Sequence, residues 1–343
     1  MNNKIPFLML CSIFLFSCSK DKELKYNITT AWIPMQDNIR LAADIYWPAS
    51  YRKGDVFPVL LEYIPYRKDE SRGRNYPLYS YFLDNNYIVA RVDIRGTGNS
   101  EGKVIPIEYS EIELDDGEKV IEWLANQSWS NGNVGMFGIS WGGFNSIQMS
   151  MRNPPALKAF VAVMATEYLY EEDVHYIDGI MVAGDSWMMS NDLYNSLPGA
   201  PDFIMDEQWY EDRFDVEPSV YKYMRQQRDG PFWDRASAKN KYHLIRVPGY
   251  HIGGWYDGYR NSLPRMIENV SAPVKAMIGP WDHDYPHDAA LKPQVEWRHE
   301  AVRWFDQFLK QKNTGILEEP KFAIYMRDYH EPDDSIEYIP GYW

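Results

Sequence analysis

What most constrains the fold of this chain is an alternation of short apolar runs with longer amphipathic ones, beginning near residue 56. Residues 56–64, 87–93, 134–139 and 157–164 read as strands apolar on both faces, with helical patterns over 76–85, 109–125 and 144–151 between them. Strands of that kind need cover on both sides, which predicts a mostly parallel sheet with helices on each face, an α/β class. Acidic residues come early in the 109–125 helix, where the helix dipole favours them. Ahead of this region, 26–33 and 39–47 have β character and are separated by Gln36-Asp37-Asn38, a turn signal, so an antiparallel pair is expected at one edge. After an interruption the pattern resumes with a strand at 244–249, extending toward 253, a helix at 260–269, a strand at 274–278 and a helix at 296–312. The interruption, 166–243, is rich in Tyr, Trp, Met and Asp and shows no strand period. It is too long for a structureless loop in a compact domain, and the expectation is an inserted, mainly helical cap over the site.

The N-terminus reads as a targeting segment. Lys4 precedes the apolar run 6–16, which is too short to cross a bilayer comfortably, and Ser17-Cys18 follows. Leu15-Phe16-Ser17-Cys18 resembles a bacterial lipobox, whose cleavage would leave Cys18 as a lipid-carrying first residue. An ordinary cleaved signal peptide is the alternative, and either route exports the protein. The expected organisation is a leader at 1–18, a first α/β part at 19–165, the cap at 166–243, a second α/β part at 244–312 and a β segment at 313–343. The net charge of −14 argues against a nucleic-acid partner, which needs a basic face.

Gly138-Ile-Ser140-Trp-Gly142-Gly143 falls between a predicted strand and a predicted helix. In that setting G-x-S-x-G reads as a nucleophile elbow, a sharp turn that lifts a serine hydroxyl above the sheet. The hydroxyl needs a general base, and the base needs an orienting carboxylate. In a sheet of this kind both belong in loops beyond strand C-termini, in the order Ser, acid, His. Asp257 and His283 each follow a predicted strand in that order. His287 and His251 are alternatives for the base and Asp282 for the acid; His175, His243, His299 and His330 read as structural or surface residues. No metal-site spacing is present, since His283-x-x-x-His287 lies in a proline-bearing, loop-like stretch. The glycine-rich run 96–102 lacks the ending of a phosphate-binding loop and is expected as a tight loop beside the active site.

Several separated blocks then carry a resemblance: Ile39-Arg-Leu-Ala-Ala-Asp44, Tyr63-Ile-Pro-Tyr66-Arg-Lys68, Asp93-Ile-Arg-Gly-Thr-Gly98-Asn-Ser-Glu-Gly102, Gly132-Asn-Val-Gly-Met-Phe-Gly-Ile-Ser140, Gly254-Trp-Tyr-Asp257-Gly and Gly279-Pro-Trp-Asp-His283. From about residue 39 onward the chain resembles the cocaine esterase/X-prolyl dipeptidyl-peptidase-like (CocE/NonD) family, which includes α-amino acid ester hydrolases and glutaryl acylase-type enzymes. The resemblance implies an α/β-hydrolase fold and a serine hydrolase acting on an ester or short peptide through an acyl-enzyme, with no cofactor. It matches Ser140, Asp257 and His283 to the family's triad, the Tyr66 hydroxyl to an oxyanion donor, and the backbone N–H of Trp141 to the second donor. Two departures stand out. Acids that hold a substrate ammonium in the α-amino acid ester hydrolases are replaced after Asp257 by Gly258-Tyr259-Arg260, which leaves Asp173, in Glu171-Glu172-Asp173, as the candidate amine contact. Family members also continue into a C-terminal β jelly roll, and here Pro320-Lys-Phe-Ala-Ile-Tyr-Met326 resembles only its first strand, so 313–343 is expected as the start of a shortened β domain. A non-catalytic, ligand-binding surface lipoprotein that keeps the fold is the competing functional expectation.

Overall fold

The computed structural model describes residues 26–69, 72–177, 179–182, 184 and 204–343; the leader and Cys18 lie outside the described residues. The strands are β1 (Asn27–Pro34), β2 (Arg40–Trp47), β3 (Phe57–Ile64), β4 (Ile88–Asp93), β5 (Ser130–Ile139), β6 (Leu157–Val163), β7 (Tyr176–Ile177), β8 (Ile180–Met181), β9 (Gly249–Gly254), β10 (Val274–Gly279), β11 (Phe322–Ile324), β12 (Met326–Arg327) and β13 (Gly341–Tyr342). Nine of them form one sheet in the order β1-β2-β4-β3-β5-β6-β9-β10-β11. β1 pairs antiparallel with β2 from Asn27↔Trp47 to Pro34↔Arg40, and β2 pairs antiparallel with β4. Every later pairing in this sheet is parallel. Asn38 takes φ 67° in the first turn, a left-handed conformation that Asn tolerates.

The parallel strands are mostly apolar because both faces are covered: β4, β9 and β10 are buried at every position, including Arg91, Asp93 and Lys275. Helix α1 (Arg72–Asp84) packs with α9 (Trp297–Leu309), and α2 (Glu111–Ala125) packs with α3 (Trp141–Arg152). Strand β3 faces both layers, since a Cβ at Gly135 would meet Leu60 and Phe305 of α9, while one at Gly117 of α2 would meet Tyr63 and Met149 of α3.

Between β6 and β9 the described residues carry the short helices α4 (Leu169–Glu172), α5 (Glu207–Trp209), α6 (Ser219–Met224) and α7 (Pro231–Asp234), with the β7–β8 ladder. This segment is tied to the loops at the C-terminal side of the sheet. Arg213 Nη1 donates to the Gly98 carbonyl at 2.9 Å, and Arg235 Nη1 to the Glu108 carbonyl at 2.9 Å.

Two segments depart from the sequence reading in more than a shifted end. The strand expected at 244–249 starts only at Gly249: Tyr242–Leu244 is a 3-10 turn, and Pro248, which has no N–H, precedes the ladder. The segment read as the opening of a separate β domain instead places Phe322–Ile324 parallel to β10 as the last strand of the main sheet, in register Ala276↔Phe322. The adjacent β12 and β13 form a two-stranded ladder of their own. Past β9, α8 (Ser262–Asn269) packs on β10.

Candidate active site

In this strand order the chain runs from β3 to β4 on one side and then returns to β5 on the other. The crevice beyond the C-termini of β3 and β5 is therefore the switch point at which sheets of this kind bind ligands. Tyr66 leaves β3 there and Ser140 leaves β5 there.

Ser140 is half-buried and holds φ 55°, ψ −125°, a strained conformation for a residue with a side chain. Its N–H donates to the Val163 carbonyl at 3.0 Å, and α3 starts at the next residue. Glycine is required on both sides. A Cβ at Gly138 would lie 2.7 Å from Gly142 Cα, and one at Gly143 would lie 2.8 Å from Ala165 Cβ.

Asp257 and His283 meet through the loops after β9 and β10. Trp255 N–H donates to the Gly279 carbonyl and Tyr256 N–H to the Trp281 carbonyl, at 2.9 and 3.0 Å. Gly254 permits this approach, since a Cβ there would sit 2.1 Å from Trp281 O. The result is His283 Nδ1 3.0 Å from Asp257 Oδ1, which also accepts Gly258 N–H at 2.8 Å. Asp257 is buried, whereas the His283 side chain is 45% exposed. Burial lowers the proton affinity of the imidazole, but the hydrogen bond and charge of Asp257, with Asp284 and Asp282, reverse this and leave its pKa above the ordinary 6.5.

The alternatives are engaged elsewhere. His287 Nδ1 accepts the Trp297 indole N–H at 2.8 Å. His251 lies inside β9 against Phe160, where burial alone drives its pKa down to about 3. Asp282 is half-buried beside the base, and no hydrogen bond to the His283 ring is formed from it. The glycine-rich loop is anchored below Tyr66: Asp93 accepts Lys68 N–H at 2.8 Å and Asn99 N–H at 3.0 Å. Gly98 stands so close that a Cβ would meet Asp93 Oδ2 at 2.1 Å.

Around Ser140, Asp257 and His283 lies an aromatic and acidic shell. Tyr66 is half-buried with its ring edge-on to Trp141, centroids 6.4 Å apart. Tyr259 packs 5.7 Å from the His283 ring, and its hydroxyl donates to Asp173 Oδ1 at 3.2 Å. Asp173 is fully buried; burial raises its carboxyl to about 6 against the pull of nearby His175. His175, read from sequence as structural or surface, is fully buried with Nε2 3.2 Å from Glu108 Oε1. Glu108, Asp173 and His175 offer donor atoms within 4.8 Å of one another, the set among the described residues that could hold a metal ion. Arg235 Nη2 already places a positive charge 3.5 Å from Glu108 Oε1.

Sequence reasoning missed Tyr259, Glu108 and Glu113. The tyrosine hid in the departure after Asp257. Glu113 stood among the acids early in the helix expected at 109–125 and Glu108 just ahead of it, and no local signal turns them inward.

A strained serine between β5 and α3, with Asp257 and His283 paired in the loops after two later parallel strands, defines an α/β-hydrolase fold. The chain belongs to the X-Pro dipeptidyl-peptidase (S15) family, whose model matches residues 37–285. It is 26% identical to the cocaine esterase of Rhodococcus sp. (strain MB1 Bresler) over 89% of its own length, and spans 59% of that protein. Among solved structures it resembles a CocE/NonD family hydrolase from Staphylococcus aureus, with TM-score 0.68 and 22% identity over 87% of this chain and 53% of that one. It likewise resembles an α-amino acid ester hydrolase, with TM-score 0.68 and 22% identity over 94% of this chain and 58% of that one.

Proposed function

We propose that this chain is a serine hydrolase that cleaves ester or amide bonds through an acyl-enzyme. The observation that carries the reading is the 3.0 Å contact of His283 Nδ1 with Asp257 Oδ1 in the loops after β9 and β10, at the same end of the parallel sheet as the Ser140 elbow. Ser140 Oγ attacks the carbonyl carbon while His283 Nε2 takes its proton, and Asp257 steadies the imidazolium. The oxyanion is met by the Trp141 backbone N–H and the Tyr66 hydroxyl, one such donor being worth about 3 kcal/mol. Collapse expels the alcohol or amine, which leaves with the proton from His283. Water then attacks the acyl-enzyme by the same route in reverse.

Reaction with a fluorophosphonate tests this. Stoichiometric labelling that disappears in Ser140→Ala supports it, and a folded chain that stays unlabelled sinks it in favour of a non-catalytic binding lipoprotein.

Within the class, Asp173 is the proposed contact for a substrate amine. Its Oδ2 and Glu108 Oε2 are buried acceptors with no hydrogen-bond partner, beside Tyr259 on the His283 face. The amino acid ester and X-Pro substrates then follow, and an ester hydrolysed equally well with and without its α-amine would count against them. Export and lipidation at Cys18 are likewise proposed; labelled palmitate that enters the chain but not Cys18→Ser supports them.

A further inference from the structure

Glu113 is a buried carboxylate that the acyl-transfer chemistry does not use. It lies in the first turn of α2, fully buried. Its Oε1 accepts the Trp141 indole N–H at 2.8 Å and Asn145 Nδ2 at 3.0 Å, and its Oε2 accepts Tyr109 N–H at 2.6 Å. Asn145 Nδ2 also reaches the Tyr63 carbonyl at 2.9 Å, and the Tyr63 hydroxyl donates to the Glu113 carbonyl at 3.1 Å. The carboxylate therefore clamps the residue after the nucleophile and is bridged to the end of β3, from which Tyr66 departs.

We propose that Glu113 is a positioning residue for the oxyanion-binding groups, acting through Trp141; the proposal rests on the acyl-transfer reading above. The geometry explains why both donors depend on one clamp. Trp141 supplies the backbone N–H at the first position of α3, and its indole is the surface against which the Tyr66 ring stands edge-on, at 87°. An indole held through its N–H cannot rotate, so the first turn of α3 and the Tyr66 ring keep a fixed relation to Ser140. Tyr109 stacks on Phe144 and also packs against the indole, at 5.5 Å from Trp141. Burial raises the Glu113 carboxyl to about 7, against the pull of Trp141, Asn145 and Tyr109. All three hydrogen bonds are donated to the carboxylate, so it is the ionised form that this arrangement fits. Burying an anion this way is unfavourable for stability compared with an apolar residue of the same shape, which suits a role in geometry rather than packing.

The test compares Glu113→Leu, Glu113→Gln and Trp141→Phe with the wild-type chain. Hydrolysis of a p-nitrophenyl ester, affinity for a boronic acid and thermal melting are measured for each. Trp141→Phe removes the indole N–H but keeps the backbone donor. The expected result for Glu113→Leu and Trp141→Phe is a kcat lowered about tenfold with KM within about twofold, and boronate affinity lowered by the same factor as kcat, as lost transition-state stabilisation requires. Glu113→Gln, whose amide oxygen still accepts from Trp141 while its NH2 faces the Tyr109 N–H, regains part of the loss. The double variant that carries both Glu113→Leu and Trp141→Phe loses no more than either single variant. A folded Trp141→Phe chain with wild-type kcat and boronate affinity overturns the proposal, and decides it even where Glu113→Leu fails to fold. A wild-type chain that turns over no ester overturns the acyl-transfer reading itself, whereas an active wild type beside unaffected variants overturns this proposal alone.

Discussion

Replacing Gly138 by Ala probes the elbow through sterics alone. The new methyl would lie 2.7 Å from Gly142 Cα and 2.8 Å from Gly142 C, both backbone atoms that cannot rotate aside. Carbon atoms rest at about 3.6 Å, so the end of β5 and the start of α3 must part by about 1 Å. Ser140 sits between them in a turn already held at φ 55°, and it moves with that separation. A displacement of that size costs about 100-fold in rate when it falls on a reacting atom, and overpacking of this kind costs about 2 kcal/mol of stability. The matched control is Gly258→Ala, beside Asp257, where the added methyl meets nothing within 4 Å. The assay is the second-order rate of fluorophosphonate labelling beside a thermal melt. Gly138→Ala is expected to label about 100-fold more slowly and melt lower, with Gly258→Ala unchanged in both. Wild-type labelling by Gly138→Ala, or equal slowing in the control, would refute the steric argument.

Further outcomes follow from the site and its supports. Asp257→Asn keeps the shape but removes the charge and favours the wrong imidazole tautomer, so kcat should fall by about 10⁴ with folding intact; a loss under about tenfold would mean that another acid orients His283. Because His283 must be neutral to accept a proton and its pKa is raised, kcat/KM should be lost as pH falls through a value above 6.5, and a pH–rate profile with its acid limb below 6.5 contradicts the pairing. Arg265 donates to both Glu167 and Glu172, and the Glu167 side chain is fully buried. Arg265→Leu leaves that buried carboxylate with hydroxyl donors from Tyr242 and Ser262 but no counter-charge, and should cost about 3 kcal/mol in denaturant unfolding, while an unchanged midpoint would show that the cluster rearranges.

Much of the framework was legible because parallel strands announce themselves. The run at 56–64 is apolar because β3 is covered on both faces, and Gly138, Gly142 and Gly143 are spaced as the close approach of β5 to α3 demands. Asp257 and His283 could be chosen by order and strand end, since the closeness of the two loops is built into a glycine already visible in the motif. Where the reading slipped, the cause was non-local. Leu244 to Val247 have strand composition, but the 3-10 turn before them and Pro248 after them delay pairing until Gly249. Phe322–Ile324 was placed by a free sheet edge beside β10, a property of the assembled sheet and not of the segment. Glu113 illustrates the limit most clearly, because an acid early in a helix suits the dipole whether it faces water or the interior, and only the Trp141 indole decides.

The seam between β6 and β9 has a consequence for how the chain acquires its chemistry. Val163 ends one strand and Gly249 begins its neighbour, so their pairing closes a loop of some eighty residues, while the strands on the Ser140 side join through far shorter connections. Loop closure of that span is slow relative to local hairpin and helix formation, which places the seam among the late events of refolding. Ser140 belongs to the early side, and Asp257 and His283 to the late side. During refolding from denaturant, burial of the tryptophans around β5 should therefore precede the appearance of a reactive Ser140, so that reactivity times the final docking of the two halves of the sheet.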